Sequence, residues 1–270
     1  RIFGNHMQYD SMSSILDQEG LIQWFDEGGF SAASLDTIYY RVLSNLPYYK
    51  SNPIELSSKG VVVPGELEII PVQTPINVLV CNSNHGCLEV AEELKKAISS
   101  ERSPDSMFII DAIEYLVNNQ EEVELIDGNE DEDGRDSLIP RPNGKPAFLL
   151  LYLNKFTFGG GNQHNDKMEM VIESCIHNPN IHLVLVHEQD ASKGGCKFNE
   201  FLDLTPEKLI DEPLNLYREM VIPLYSTMKY RDVSLKKILN KMLTVASDPN
   251  LIIAQSRKSS NFQGCMQRMY

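Results

Sequence analysis

The sequence predicts a doubly wound α/β fold: about five parallel strands with helices on both faces, behind a smaller helical and loop appendage. Two continuous apolar runs, Ala147–Leu153 and Ile181–Val186, carry that prediction, because neither alternates as a strand with one wet face does. Between them lie three glycines, Gly159, Gly160 and Gly161, and an amphipathic stretch Met168–Ile176, so the segment reads strand, loop, helix, strand. Strand-like and helix-like stretches then alternate over residues 76–243, and parallel strands joined this way need right-handed crossovers.

In chain order, residues 1–19 are polar and aperiodic and read as extended chain. Leu35, Ile38, Tyr39, Val42, Leu43 and Leu46 share one helical face, with Ser34 placed as N-cap. Pro47, Pro53, Gly60 and Pro64-Gly65 punctuate a loop-rich connector holding one β-branched run, Val61–Val63. Together these make an appendage over residues 1–74. After Pro75, Ile76–Cys81 is a buried strand, Asn82–Gly86 a turn, and Cys87 opens a helix with Leu88, Ala91, Leu94 and Ile98 inward. Met107–Ile110 reads as a short strand leading into a helix, in preference to one long helix capped by Ser103; Val123–Ile126 offers an extra edge strand. Asp127–Asp136 matches the first half of a calcium loop, but Pro140 stands where the closing Glu belongs, so it reads as a solvated acidic loop. Thr205-Pro206-Glu207 has the order of a helix start, Met220–Leu224 is a strand, and Val233–Leu243 is a final helix capped by Asp232. The α/β domain spans residues 75–245 and a tail follows at 246–270.

The formal net charge of −14 over 270 residues disfavours nucleic acid and anionic membrane as partners, since an acidic field repels polyphosphate. Five cysteines, odd in number and few for the length, point away from a disulfide framework and toward a reducing, cytoplasmic setting. No apolar stretch reaches the roughly 18 residues of a membrane span and no signal peptide opens the chain. The opening Arg1 and the dissimilar last residues read as marks of a piece of a larger polypeptide.

Phe108–Leu116 (FIIDAIEYL), Phe148–Phe158 (FLLLYLNKFTF), Ile181–His187 and Met220–Leu243 follow, in order and spacing, the pattern of one family. Over residues 75–245 the chain resembles a Toll/interleukin-1 receptor (TIR) domain, of the kind found in large protist and algal proteins. The resemblance implies a flavodoxin-like sheet and a protein-interaction, scaffold or signalling module that associates with itself or with protein partners. Where the family often has Ser and Trp-Cys before a helix Glu, this chain has Gly160-Gly161-Asn162-Gln163 and His164-Asn165-Asp166, which weakens any activity carried with the likeness.

The alternative implied by the resemblance is an enzyme cleaving the nicotinamide–ribose bond of NAD, with Glu169 stabilising the cationic sugar. In a sheet of order 2-1-3-4-5 ligands sit beyond the carboxyl ends of strands one and three. Asn82, His85 and Asn154 are therefore the candidate pocket residues, and Gly159, Gly160 and Gly161 could let backbone N–H groups approach an anion, although they lack the GxGxxG or P-loop spacing. Glu169 is expected in the first turn of the following helix, where an acid also complements the helix dipole, and Glu173 is the competing acid. His187-Glu188-Gln189-Asp190 with Cys196 lacks zinc spacing and reads as a turn closed by local hydrogen bonds, so no metal site is assigned. Cys81 reads as core rather than as a partner of His85 and Cys87.

Overall fold

The computed structural model describes residues 22–59, 63, 65–101, 104–124, 145–159 and 161–247. They fall into two compact units that part between Leu67 and Glu68. Val61, Val62, Ile126 and the acidic run Asp127–Asp136 lie outside the described residues.

The first unit contains helices α1 (Gly28–Asn45), α2 (Pro47–Ser51) and α3 (Pro53–Lys59). Ser34 is not the N-cap of α1. It is buried within the helix, its hydroxyl 3.0 Å from the Phe30 carbonyl and 3.1 Å from that of Gln23 while accepting from the Phe25 N–H, so it fastens the preceding segment onto the first two turns. Phe30 and Ala32 are buried there, whereas Tyr39, Val42 and Leu46, expected on the covered face, are exposed. Pro47 and Pro53 begin short helices instead of marking loops, because proline at the first helical position gives up an N–H that has no intrahelical acceptor anyway.

The second unit is α/β, with an all-parallel sheet in the order β2-β1-β3-β4-β5, the flavodoxin-like arrangement. Its strands are β1 (Ile76–Val80), β2 (Met107–Asp111), β3 (Ala147–Leu153), β4 (Ile181–Glu188) and β5 (Ile222–Leu224). The connecting helices are α4 (Cys87–Glu101), α5 (Ala112–Glu124), α6 (Asn162–His177), α7 (Phe198–Leu204), α8 (Glu207–Ile210) and α9 (Met228–Ser247). Strand periodicity divides the unbroken apolar run of β3 between two cores. Phe148, Leu150 and Tyr152 face α4 and α9 with Leu94, Ile98, Ile238 and Leu239; Leu149, Leu151 and Leu153 face α6 with Met168, Val171 and Ile172. Each such fully buried side chain contributes about 1.5–3 kcal/mol, which is why a strand with no polar face is stable at the centre of the sheet.

Several boundaries differ from expectation for one reason: apolar periodicity marks only the covered part of a helix. α6 begins at Asn162 and α9 at Met228, each ahead of its first periodic apolar residue, so Asp232 is an interior residue that pairs with Lys236 at 3.0 Å rather than a cap. Val123 continues α5 instead of opening a strand. In α4 the inward stripe is Cys87, Val90, Ala91, Leu94 and Ile98, leaving Leu88 exposed. Asn240 of α9 ties down the chain entering β1, donating to the Glu68 carbonyl and accepting from the Ile70 N–H. No helix among the described residues is long and apolar enough to cross a membrane.

Candidate functional site

The crossovers through α4 and α5 leave opposite faces, so the switch point lies beyond the carboxyl ends of β1 and β3. The backbone pairing of these strands ends at Leu79 opposite Leu149, and beyond it a side chain takes over. Asn84 is buried in the turn after β1, where its Nδ2 donates to the Tyr152 carbonyl and its Oδ1 accepts from the Tyr152 N–H, both at 2.8 Å. One amide thereby reproduces a pair of ladder bonds and closes the seam between the strands. The tight approach needs a glycine at position 86: φ is +83°, and a Cβ there would stand 2.7 Å from the Tyr152 ring.

Asn154 completes the closure from the other side. Its Nδ2 donates to the His85 carbonyl and its Oδ1 accepts from the Phe156 N–H, each at 2.8 Å, while its own N–H goes to the Thr157 hydroxyl. With 1% of its surface accessible, it is a clamp between two loops rather than an open wall of a pocket. His85 is exposed and meets Phe156 edge-on, centroids 5.5 Å apart. Asn82 donates to Asp111 at the end of β2, whose other oxygen accepts from the Ile113 and Glu114 N–H groups at the start of α5. The structure thus brings Asn82, His85 and Asn154 to one end of the sheet, with their backbone and amide groups committed to holding that end together.

The glycine loop divides by position. A Cβ on Gly159 would lie 2.7 Å from the Lys155 carbonyl, Gly160 lies outside the described residues, and Gly161 precedes α6 with φ +84°. Glu169 is not in the first turn of α6. Counted from Asn162 it lies about 10 Å along the helix axis, away from the cleft mouth. Glu173, one turn further, pairs with Lys208 of α8, and that bond, with the nearby charge of Glu169, pushes the lysine's pKa up. On this surface both acids face a cation.

Sequence reasoning missed a buried charged cluster at the same end. Glu188, the last residue of β4, is wholly buried; its Oε2 accepts from the Tyr152 hydroxyl at 2.7 Å and lies 3.4 Å from Arg231, and its Oε1 accepts from the Asp190 N–H at 2.8 Å. Arg231, in the first turns of α9, also grips Glu93 of α4 with two donors. Burial, then donation to Glu188, raises the Tyr152 phenol well above its ordinary range, so it stays protonated as a donor. The available signal was an acid ending an apolar run; its partners, scattered over three other elements, leave no trace in local pattern.

The His187-Glu188-Gln189-Asp190 segment does close a turn. The His187 Nε2–H donates to the Cys196 carbonyl and Nδ1 accepts from Gln189, while Asp190 accepts from the Ser192 N–H. Burial lowers the His187 pKa and favours this neutral ring. Cys87 donates to the Leu150 carbonyl and burial pushes its thiol up to about 12, which removes it as a nucleophile; Cys81 is core. Among the described residues no group of three or more His, Cys, Asp or Glu side chains could hold a metal ion. No protein-family model, curated protein or solved structure matches the chain.

Proposed function

We propose that the chain is a TIR-like protein-interaction module, a scaffold or signalling domain of a larger cytoplasmic polypeptide or assembly, that acts by associating with itself or docking on a protein partner. The observation supporting this most is the seam at the switch point, where the amides of Asn84 and Asn154 are taken up by the backbone of Tyr152 and His85 rather than left to face a small ligand. NAD cleavage by Glu169 ranks second. It would need that carboxylate to act on a sugar from about 10 Å down α6. The carboxyl-end loops, by contrast, are fixed by side-chain bonds and offer a rigid outer surface, which keeps the entropy lost on docking small. Sedimentation velocity of the whole chain over a wide dilution series tests the proposal. A sedimentation coefficient that rises with concentration is expected, and a strictly monomeric chain at every concentration counts against it.

A further inference from the structure

The two edges of the sheet are unlike. β5 has three residues, and the Gln189 N–H donates to the Leu224 carbonyl at 2.9 Å, so Leu224 and Ile222 turn their backbone groups toward β4. Pro223, between them, faces outward and has no N–H to offer, which closes that edge to further pairing. β2, at the other edge, has five residues, Met107–Asp111, without proline, lysine or glycine. Among the described residues it pairs with β1 alone.

The register decides which groups of β2 stay open. The Asn77 N–H bonds the Pro146 carbonyl on the β3 side, so the backbone of the next residue, Val78, faces β2. Val78 stands opposite Ile109, and a residue in a parallel pair bonds the neighbours of the one it faces, here Phe108 and Ile110. Met107, Ile109 and Asp111 therefore direct their N–H and C=O groups away from the sheet. An edge of this kind is a template for another strand unless a charge, a bulge or a proline blunts it. Only Asp111 of the five is charged, and Phe108, Ile109 and Ile110 are half-buried. The Lys145 ammonium beside the strand lies 3.8 Å from the centre of the Phe108 ring, held by its π face.

We propose that β2 of one copy pairs antiparallel with β2 of a second copy, about a two-fold axis at Ile109, joining two five-stranded sheets into one. This rests on the self-association reading above and names its surface. Under that symmetry Ile109 meets Ile109 and the two exchange both backbone bonds, Phe108 meets Ile110, and Asp111 falls opposite Met107. Apolar residues thus face apolar ones and no like charges stand opposite, which matters between copies of net charge −14. The axis is perpendicular to the sheet, so both copies of α5 lie on one face, each with Ile113 and Val117 exposed one turn apart.

Sedimentation velocity of the full chain and amide exchange on the same samples test the contact. Association should stop at the dimer, because a two-fold contact closes. From dilute to concentrated wild type, the outward amides of Ile109 and Asp111 should exchange at least about tenfold more slowly, while those of Phe108 and Ile110, already bonded to β1, change little. Ile109→Pro removes the outward N–H without touching the bonds to β1, as Pro223 does in β5, and Ile109→Lys sets two like charges against each other at the axis. Each should weaken dimerisation at least about tenfold, with the far-UV circular dichroism of the monomer unchanged. Raised salt should not weaken the wild-type dimer, since it screens repulsion between acidic copies. Association that leaves the Ile109 and Asp111 amides unprotected, that grows past the dimer, or that folded variants retain in full would overturn this contact while leaving self-association intact. The exchange result on wild type decides even where a variant fails to fold. A wild type that stays monomeric at every concentration would remove both the contact and the self-association it rests on.

Discussion

Arg231 is the point at which the buried carboxyl-end cluster is most exposed to test. Replacing it by Met keeps most of the volume and the aliphatic stem but leaves Glu188, with no accessible surface, facing only the Tyr152 hydroxyl and the Asp190 N–H. Breaking a buried ion pair from one side costs about 3–5 kcal/mol. Two factors reduce that here: the Arg231–Glu188 separation is 3.4 Å, and two donors remain on the carboxylate. Glu93, whose side chain is 33% exposed, loses a partner in a screened setting, which adds only about 0.5–1 kcal/mol. The expected cost of Arg231→Met is about 3 kcal/mol, measured as the shift of the urea midpoint at constant m-value. Glu188→Gln in the same background should recover part of it, since the amide needs no counter-charge and can still accept from Tyr152, so the double variant falls short of the sum of the singles. Added salt should leave the coupling nearly unchanged, because the pair is out of reach of screening ions. A cost below about 1 kcal/mol for Arg231→Met, or strict additivity with Glu188→Gln, would refute the view that this carboxylate depends on its guanidinium.

Other consequences are as direct. Asn84→Ala removes both side-chain bonds to Tyr152 and should destabilise by about 2–3 kcal/mol, with faster hydrogen exchange at the Tyr152 amide as the local sign. Cys87, its pKa pushed up to about 12 by burial, should stay unreacted with a thiol reagent in the native chain, while among the cysteines of the described residues half-buried Cys196 reacts first. The folded-state pKa of His187 lies below its ordinary 6.5, so the unfolded chain binds the proton more readily: the stability tied to the neutral ring is complete above pH 6.5 and is lost as pH falls through and below it. His187→Phe should therefore flatten the dependence of melting temperature on pH between about 5 and 7, a change read by comparison with wild type.

The sheet was legible because its residues repeat one message. Seven consecutive apolar residues in β3 can be covered only from both sides, and Ile181–Val186 says the same for β4, so a parallel sheet between helices follows from the two runs alone. Helix starts were less legible. Asn162–Lys167 in α6 and Met228–Asp232 in α9 include turns with little apolar pattern, so both helices seemed to begin late and Glu169 seemed to stand at a helix mouth. Ser34 misled for the opposite reason: a hydroxyl that satisfies a preceding carbonyl inside a helix has the composition of a cap.

The candidate site was legible in place more than in role. The switch-point rule put Asn82, His85 and Asn154 at one end of the sheet, where the structure has them. That Asn84 bonds the backbone of Tyr152 and Asn154 that of His85 depends on contacts between residues nearly seventy positions apart, and no local pattern encodes those. Arg231, Glu93, Tyr152 and Glu188 come together from four different elements and stay invisible for the same reason.

The central claim is that the carboxyl end of this sheet works as an outer surface rather than as a reaction pocket. Nicotinamide release from NAD, followed at high protein concentration for the wild type and for Glu169→Ala side by side, tests it most directly. The account predicts no release from folded, concentrated wild-type chain and no difference between the two. Release by the wild type that disappears in Glu169→Ala would contradict it and make the chain an enzyme.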